Sequence, residues 1–420
     1  MKRRNHWVLF AILLLALINL SPSETSTLTS SEDRGESEPV APQNREADKE
    51  PGHIAVAVQT SGAEFGELQQ LNQKVMDETG MKVELTNLTM GSELEAIRQK
   101  LELGESPDVL LLDNAWVRQL ASDGYLLPTE NYYPGTLTGE VLSASLAQNE
   151  WNGYTWAVPL DIDPYVWVYR DDKLQAENLK LPLTTEDWKE LLAKYKTQTH
   201  PPSLITFDYG DPYAGISLTL QLSGHTGSSD ANSVFKRSKE TEEAVKLLDA
   251  LRPYLLHSGS GASGQDNVWN KLSSGEAIFG LVKWSEARRR NSGGLHIVFP
   301  DQAISGEMWI TGRSYAVTAG SDNGEAAGRW IAAMTNQIQQ RQWFELTGNL
   351  PVRKELYVQA EHGGIPAGLP PSLVKGKGTP VPAGAEIPER MEKYASVTAA
   401  FLKGGLGMQA YLNELSSLGL

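Results

Sequence analysis

"HIAVAVQTSGAEFGELQQLNQKVMDETGMKVEL", residues 53–85, changes its hydrophobic period twice. "HIAVAVQT" is a short apolar run of strand length and composition, which predicts a buried strand. After Ser61, the apolar residues Leu68, Leu71, Val75 and Met76 recur at the spacing of one helix face, and Gly80 stands where a helix C-cap needs a left-handed residue. "MKVELTNL" then returns to strand composition. A strand, a helix and a second strand joined this tightly form a parallel βαβ unit.

The pattern continues outward from this unit. Glu93 to Leu103 predicts a helix closed by Gly104, "PDVLLL" a strand, and Ala115 to Ser122 a helix closed by Gly124. "LTTEDWKELLAKY" opens with Thr and Glu in the manner of a capping box, and "KETEEAVKLLDALRPYL" has helical periodicity. The Gly/Ser stretch "HSGSGASGQD" from His257 is expected to be a mobile loop. "NKLSSGEAIFGLVKW" supplies a helix, a turn and a buried strand ending at Trp284. "ITGRSYAVTAG" is a strand and "NGEAAGRWIAAMTN" a helix with Asn323 as its cap. The chain is therefore α/β, and beyond the first 50 residues it is long enough to divide into two lobes.

Lys2, Arg3 and Arg4 precede an apolar run from Trp7 to Leu20, short for a spanning helix and suited to an export signal, cleaved or retained as an anchor. Residues 21–52 are rich in Ser, Thr, Glu and Pro and carry little to bury, as in a disordered acidic linker. The net charge of −15 divides as +3 for residues 1–20, −5 for residues 21–50 and −13 for the remainder. That balance argues against nucleic acid or an anionic membrane surface as a partner. There is no cysteine, which excludes disulfides, thiolate metal sites and a cysteine-linked lipid anchor. No G-x-S-x-G, P-loop or H-E-x-x-H motif occurs, and the 7 histidines have no metal-ligand spacing, so neither a cofactor nor a metal is expected.

"WAVPLDIDPYVWVYRDD" (Trp156–Asp172) carries the site chemistry. Asp161, Asp163, Tyr165, Trp167 and Tyr169 alternate with Ile162, Pro164, Val166 and Val168, so one strand face would bear two carboxylates and three aromatics. Thr60, Ser61, Gly62 and Glu64 after the first strand, and Asp113, Asn114 and Trp116 after the third, stand where ligands bind in parallel sheets; Asp113 and Asn114 are equally good helix N-caps. Two aspartates about 7 Å apart on one strand also raise glycoside hydrolysis, but the pair would lie on one wall rather than flank a bond. The triplet Arg288 to Arg290 reads as a solvated face.

"LELGESPDVLLLDNAW", "SDGYLLPTE", "WNGYTWAVPLDIDPYVWVYRDDKL", "LSSGEAIFGLVKW", "GRSYAVTAGSDNGEAAGRWIAAMT" and "GNLPVRKELY", in this order, resemble the extracellular solute-binding proteins of ABC transporters, in the sugar-binding group that includes maltose-binding protein. The resemblance implies a periplasmic-binding-protein fold with two lobes and a ligand in the cleft between them, handed to a membrane permease by a monomer without enzymatic activity. It places the first lobe at residues 53–158 plus 313–350, the second at 163–307 plus 351–420, and hinge crossings at 158–162 and 308–312. Asp163 matches a carboxylate that holds sugar hydroxyls in the family and Trp284 a stacking tryptophan. Asp113, Trp116, Asp161, Tyr165, Trp167, Tyr213, Trp309 and Arg313 lie on segments that reach the cleft; Trp116, Trp167 and Trp309 are equally readable as core. "VQTSGAEF" departs from the family in lacking a tryptophan after the first strand. Carboxylates with aromatics fit a neutral sugar, and also a cationic osmolyte such as choline or a polyamine. Presentation of the ligand to a membrane receptor would use the same lobes.

Overall fold

The computed structural model describes residues 52–88, 94–181, 184–222, 235, 237–258, 262–290, 294–300, 309–358 and 384–418. The export signal, most of the linker and Met308 of the return crossing lie outside the described residues. The described chain forms two large sheets and a two-stranded hairpin. The first contains β1 (His53–Val58), β2 (Lys82–Asn87), β3 (Val109–Asp113), β6 (Val158–Ile162), β12 (Gly312–Val317) and β13 (Leu350–Pro351), in the order β13-β6-β12-β3-β1-β2. Its β1 pairs in parallel with β2 and β3, whereas β12 runs antiparallel to β3 and β6. The second contains β7 (Tyr165–Arg170), β8 (Ser203–Asp208), β9 (Leu255–Ser258), β10 (Ala277–Lys283) and β11 (Leu295–Val298), in the order β11-β7-β10-β8-β9. A hairpin of β4 (Glu150–Trp151) and β5 (Tyr154–Thr155) turns through Asn152 and Gly153, both at positive φ.

The βαβ reading of the opening stretch holds. Helix α1 (Gly62–Thr79) is capped by the Ser61 hydroxyl, which accepts from the Glu64 N–H. It buries Leu68, Leu71 and Val75 and ends at Gly80 with φ 71°. Helix α2 (Leu94–Glu102) and helix α3 (Asn114–Ser122) likewise end at glycines with positive φ, Gly104 and Gly124. Three local expectations need correction. The capping box of α4 (Thr185–Tyr195) pairs Thr184 with Asp187 rather than with a glutamate. Asn323 occupies the N-cap of α7 (Gly324–Met334) without a capping bond, and its Nδ2 donates to Asp108. The Gly/Ser segment continues β9 as far as Ser258 and is helical again from Ala262.

Pro164 is where the aromatic stripe breaks. β6 ends at Ile162 in the first sheet and β7 begins at Tyr165 in the second, because a residue without an N–H cannot extend the ladder. β7 is the second of five strands and is covered on both faces. Val166 and Val168 pack in one apolar cluster and Tyr165 and Trp167 in the other, with exposures of 2% or less. The second cluster gathers α4, α5 (Pro212–Leu222) and the C-terminal helices α9 (Ile387–Leu402) and α10 (Met408–Leu418). β13 extends the first sheet through β6. Val352, whose N–H donates to Gln340 of α8 (Gln337–Thr347), stays with that sheet, so the chain leaves it later than residue 350.

The crossings between the sheets are tied to each other. The Asp163 N–H donates to the Thr311 carbonyl at 2.9 Å, and the Thr311 hydroxyl donates back to the Asp163 carbonyl. Gly312 opens β12 immediately afterwards. A Cβ there would meet the Asp161 carbonyl oxygen at 2.5 Å, so the close approach of β12 to β6 requires glycine.

Candidate functional site

The carboxyl ends of β1, β3 and β6 and the start of β12 come together at one edge of the first sheet, facing the second. Between them lies a cavity of about 290 Å³. Thr60, Ser61, Glu64, Asp113, Asp161 and Asn349 line it from the first sheet's side, Tyr213, Lys283, Ser285, Glu286 and Arg289 from the second's, and Asp163, Thr311, Gly312 and Arg313 from the crossings. A side cavity of about 20 Å³, room for one water, opens off it between Asp113, Tyr213 and Thr311 and reaches Trp309, Arg118 and Ile387.

Arg313 organises the floor. In the register of β12 it stands between Asp113 of β3 and Asp161 of β6, and the strand pairing with β6 shifts just after it. Such an irregularity re-aims a side chain at a sheet edge. Its Nε donates to Asp161 Oδ1 at 3.2 Å, and its Nη2 bonds Asp161 Oδ2 and, at 3.4 Å, Glu64 Oε1. Trp343 adds an indole N–H to Asp161 at 2.8 Å, and Asn349 an amide N–H to Glu64 at 3.0 Å. Burial would lower the Arg313 pKa, but the charges of Asp161 and Glu64 hold it above its ordinary value. Burial likewise pushes Glu64 up, and Arg313, Asn349, Arg289 and the Ser61 N–H together bring it below the usual carboxylate range.

Asp163 faces the other way. Its Oδ1 accepts from the Ser285 N–H at 2.8 Å and its Oδ2 from the Ser285 hydroxyl at 2.7 Å, at the first turn of α6 (Trp284–Arg290). Burial raises its pKa to about 6, against the Lys283 charge and the two Ser285 bonds. Asp113 caps α3 by accepting from the Ala115 N–H at 2.9 Å and also lines both cavities, so the cap and cleft readings coincide in one residue. Burial raises its pKa, partly offset by the Tyr213 hydroxyl. Lys283 is held above its ordinary value despite burial by Asp211, Asp163, Glu286 and Asp113.

Of the ten residues singled out in the sequence, Asp113, Asp161, Asp163, Tyr213 and Arg313 line the main cavity, and Trp309, tilted against Tyr213 at 6.1 Å, lines the side cavity. The other four lie elsewhere. Trp167 is 0% exposed with its indole N–H on Gln221, and the Tyr165 hydroxyl donates to Asp211 inside the same core; the expectation that this face meets a ligand is corrected by the packing of α4 and α5 over it. Trp284 is buried and stacked on Phe299 at 5.1 Å, so its ring is packing against protein and lines neither cavity. Trp116 is half-buried and packs against the apolar cluster that includes Leu112, Val117 and Leu120. Thr60, Ser61 and Glu64, expected at the ligand-facing end of the first strand, line the cavity as well, whereas Lys283, Ser285, Glu286, Arg289 and Asn349 were missed. Lys283 and Ser285 flank Trp284, so the parity of β10 continued into α6 was the available signal. The basic triplet is not a uniformly solvated face: Arg288 stacks on Phe344 at 3.8 Å and donates to its carbonyl, while Arg289 lines the cavity. Among the described residues no group of three or more His, Cys, Asp or Glu could hold a metal ion.

A family model described as a bacterial extracellular solute-binding protein matches residues 69–362. Among solved structures, the GacH receptor of Streptomyces glaucescens, determined unliganded and with acarbose, matches with a TM-score of 0.70 at 19% identity, covering 87% of this chain and 97% of that one. The sugar-binding protein MalE of Xanthomonas citri gives 0.68 at 18% identity over 87% and 95% of the two chains. An ABC substrate-binding protein of Listeria monocytogenes in complex with cycloalternan gives 0.67 at 14% identity over 88% and 98%. These likenesses establish the two-lobed fold. No curated protein matches the chain.

Proposed function

The chain belongs to the bacterial extracellular solute-binding proteins, which act outside the cytoplasm and bind rather than transform their ligands, and from this we propose that it is the receptor component of an ABC importer, capturing a carbohydrate in the cleft and delivering it as a monomer to a membrane permease. The observation that supports this most is the cavity of about 290 Å³ walled by polar groups from both sheets, at the edge where the chain crosses between them. Its size approaches that of small-molecule sites, about 300–1,000 Å³. A ligand touching both walls binds the closed arrangement better than an open one and shifts the population by that difference. Asp113, Asp161, Asp163, Tyr213 and Arg313 are the residues assigned to ligand contact, with Trp309 at the side cavity.

A cationic osmolyte fits less well. Aromatic cages hold such ligands by several ring faces, whereas Tyr213 is the one aromatic residue among those lining the main cavity. A thermal-shift screen of mono- and oligosaccharides with choline and polyamines included tests the assignment, since selective binding to the folded form raises the melting temperature. Stabilisation by a sugar, accompanied by compaction in solution scattering, is the expected result. Stabilisation by the cations alone, or binding with an unchanged radius of gyration, refutes it.

A further inference from the structure

The hydrogen bonds on the cavity wall divide its charged groups into two sets. Of the five lining carboxylates four already accept from the protein, and the fifth, Glu286, lies within the charges of Lys283, Arg289 and Arg290. Asp161 is 1% exposed and bonded by Arg313 and Trp343; Glu64 accepts from Asn349 and Arg313, Asp163 from Ser285, and Asp113 from Ala115. The cationic groups are less committed. Among the described residues Arg289 makes no hydrogen bond and Arg313 Nη1 has no partner, although both side chains line the cavity. Lys283 Nζ stands 4.0 Å from the Asp211 carboxylate, beyond hydrogen-bond distance.

A wall with its carboxylates engaged internally and its cationic donors available is matched to a ligand that brings negative oxygen acceptors. Arginine binds a carboxylate through two parallel N–H bonds, and charge-assisted bonds of this kind are about twice as strong as neutral ones. The donors also come from both sides: Arg313 belongs to β12 of the first sheet, whereas Lys283 and Arg289 belong to β10 and α6 of the second lobe. One anionic group between them therefore favours closure.

We propose that the cleft selects an acidic carbohydrate, a uronate whose carboxylate is received by Arg289, Lys283 and the free face of Arg313, in place of the neutral sugar expected from the sequence. This rests on the carbohydrate reading above. The test is calorimetry at neutral pH with matched pairs: glucuronate and glucose, galacturonate and galactose, mannuronate and mannose, and the homodisaccharides of each. In at least one pair the uronate is expected to bind tenfold or more tighter than its neutral partner, with an affinity that falls as salt rises. Arg289→Gln, at an exposed position, should lower uronate affinity about tenfold and bring it toward that of the matched hexose. If in every pair that binds the neutral sugar binds as tightly as its uronate, the proposal is overturned and the carbohydrate reading stands. A uronate preference untouched by Arg289→Gln also overturns it. If no member of any pair binds, the carbohydrate reading falls and the proposal with it.

Discussion

Arg313→Gln is expected to destabilise the protein far more than an ordinary surface substitution. Asp161 is 1% exposed and the side-chain donors to it are Arg313 and Trp343, while the Arg313 side chain itself is 20% exposed. Removing the guanidinium leaves a buried carboxylate with one indole N–H and Glu64 with the Asn349 amide. Breaking a buried pair by deleting one partner costs about 3–5 kcal/mol, because the remaining charge stays desolvated. The screening that cancels exposed ion pairs does not apply at this burial. The double variant Asp161→Asn/Arg313→Gln removes the stranded charge together with its partner and should recover most of the loss, with a coupling of about 0.5–3 kcal/mol. Urea denaturation followed by tryptophan fluorescence reads both. A single variant within about 1 kcal/mol of wild type, or a double variant no more stable than the single, refutes the view that this pair anchors the floor of the cleft.

Trp284→Ala should act on stability rather than on the ligand: the ring is 7% exposed and stacked on Phe299, and truncating a buried tryptophan costs about 3–5 kcal/mol. Unchanged stability with lost binding, by urea denaturation and calorimetry, would return the ring to the cleft. Asp163, raised to about 6 from 3.8, binds a proton more readily folded than unfolded, so its contribution is complete below 3.8 and is lost as pH rises through about 6. Asp163→Asn should therefore flatten the fall of stability over this window by the equivalent of one proton, and an unaltered slope in denaturation at a series of pH values would disprove the shift.

The α/β class and the succession of elements were legible in the sequence because they rest on local physics. Leu68, Leu71 and Val75 share a helix face by spacing alone, and Gly80, Gly104 and Gly124 end their helices because they adopt a positive φ cheaply. The five cavity residues anticipated from sequence lie mostly where strands end, at positions that the topology of parallel sheets makes accessible. Period two along residues 161–169 was equally visible, but periodicity states that two faces differ and not which of them meets solvent. That was decided by placing β7 second in a five-stranded sheet, with α4 and α5 over its aromatic face. The pairing of Asp161 with Arg313, 152 residues away, and of Asp163 with Ser285, 122 away, likewise exists only once both sheets are assembled. Whether a carboxylate faces a ligand or the protein is set by which donors the fold brings within about 3 Å of it, and donors that distant along the chain leave no local trace.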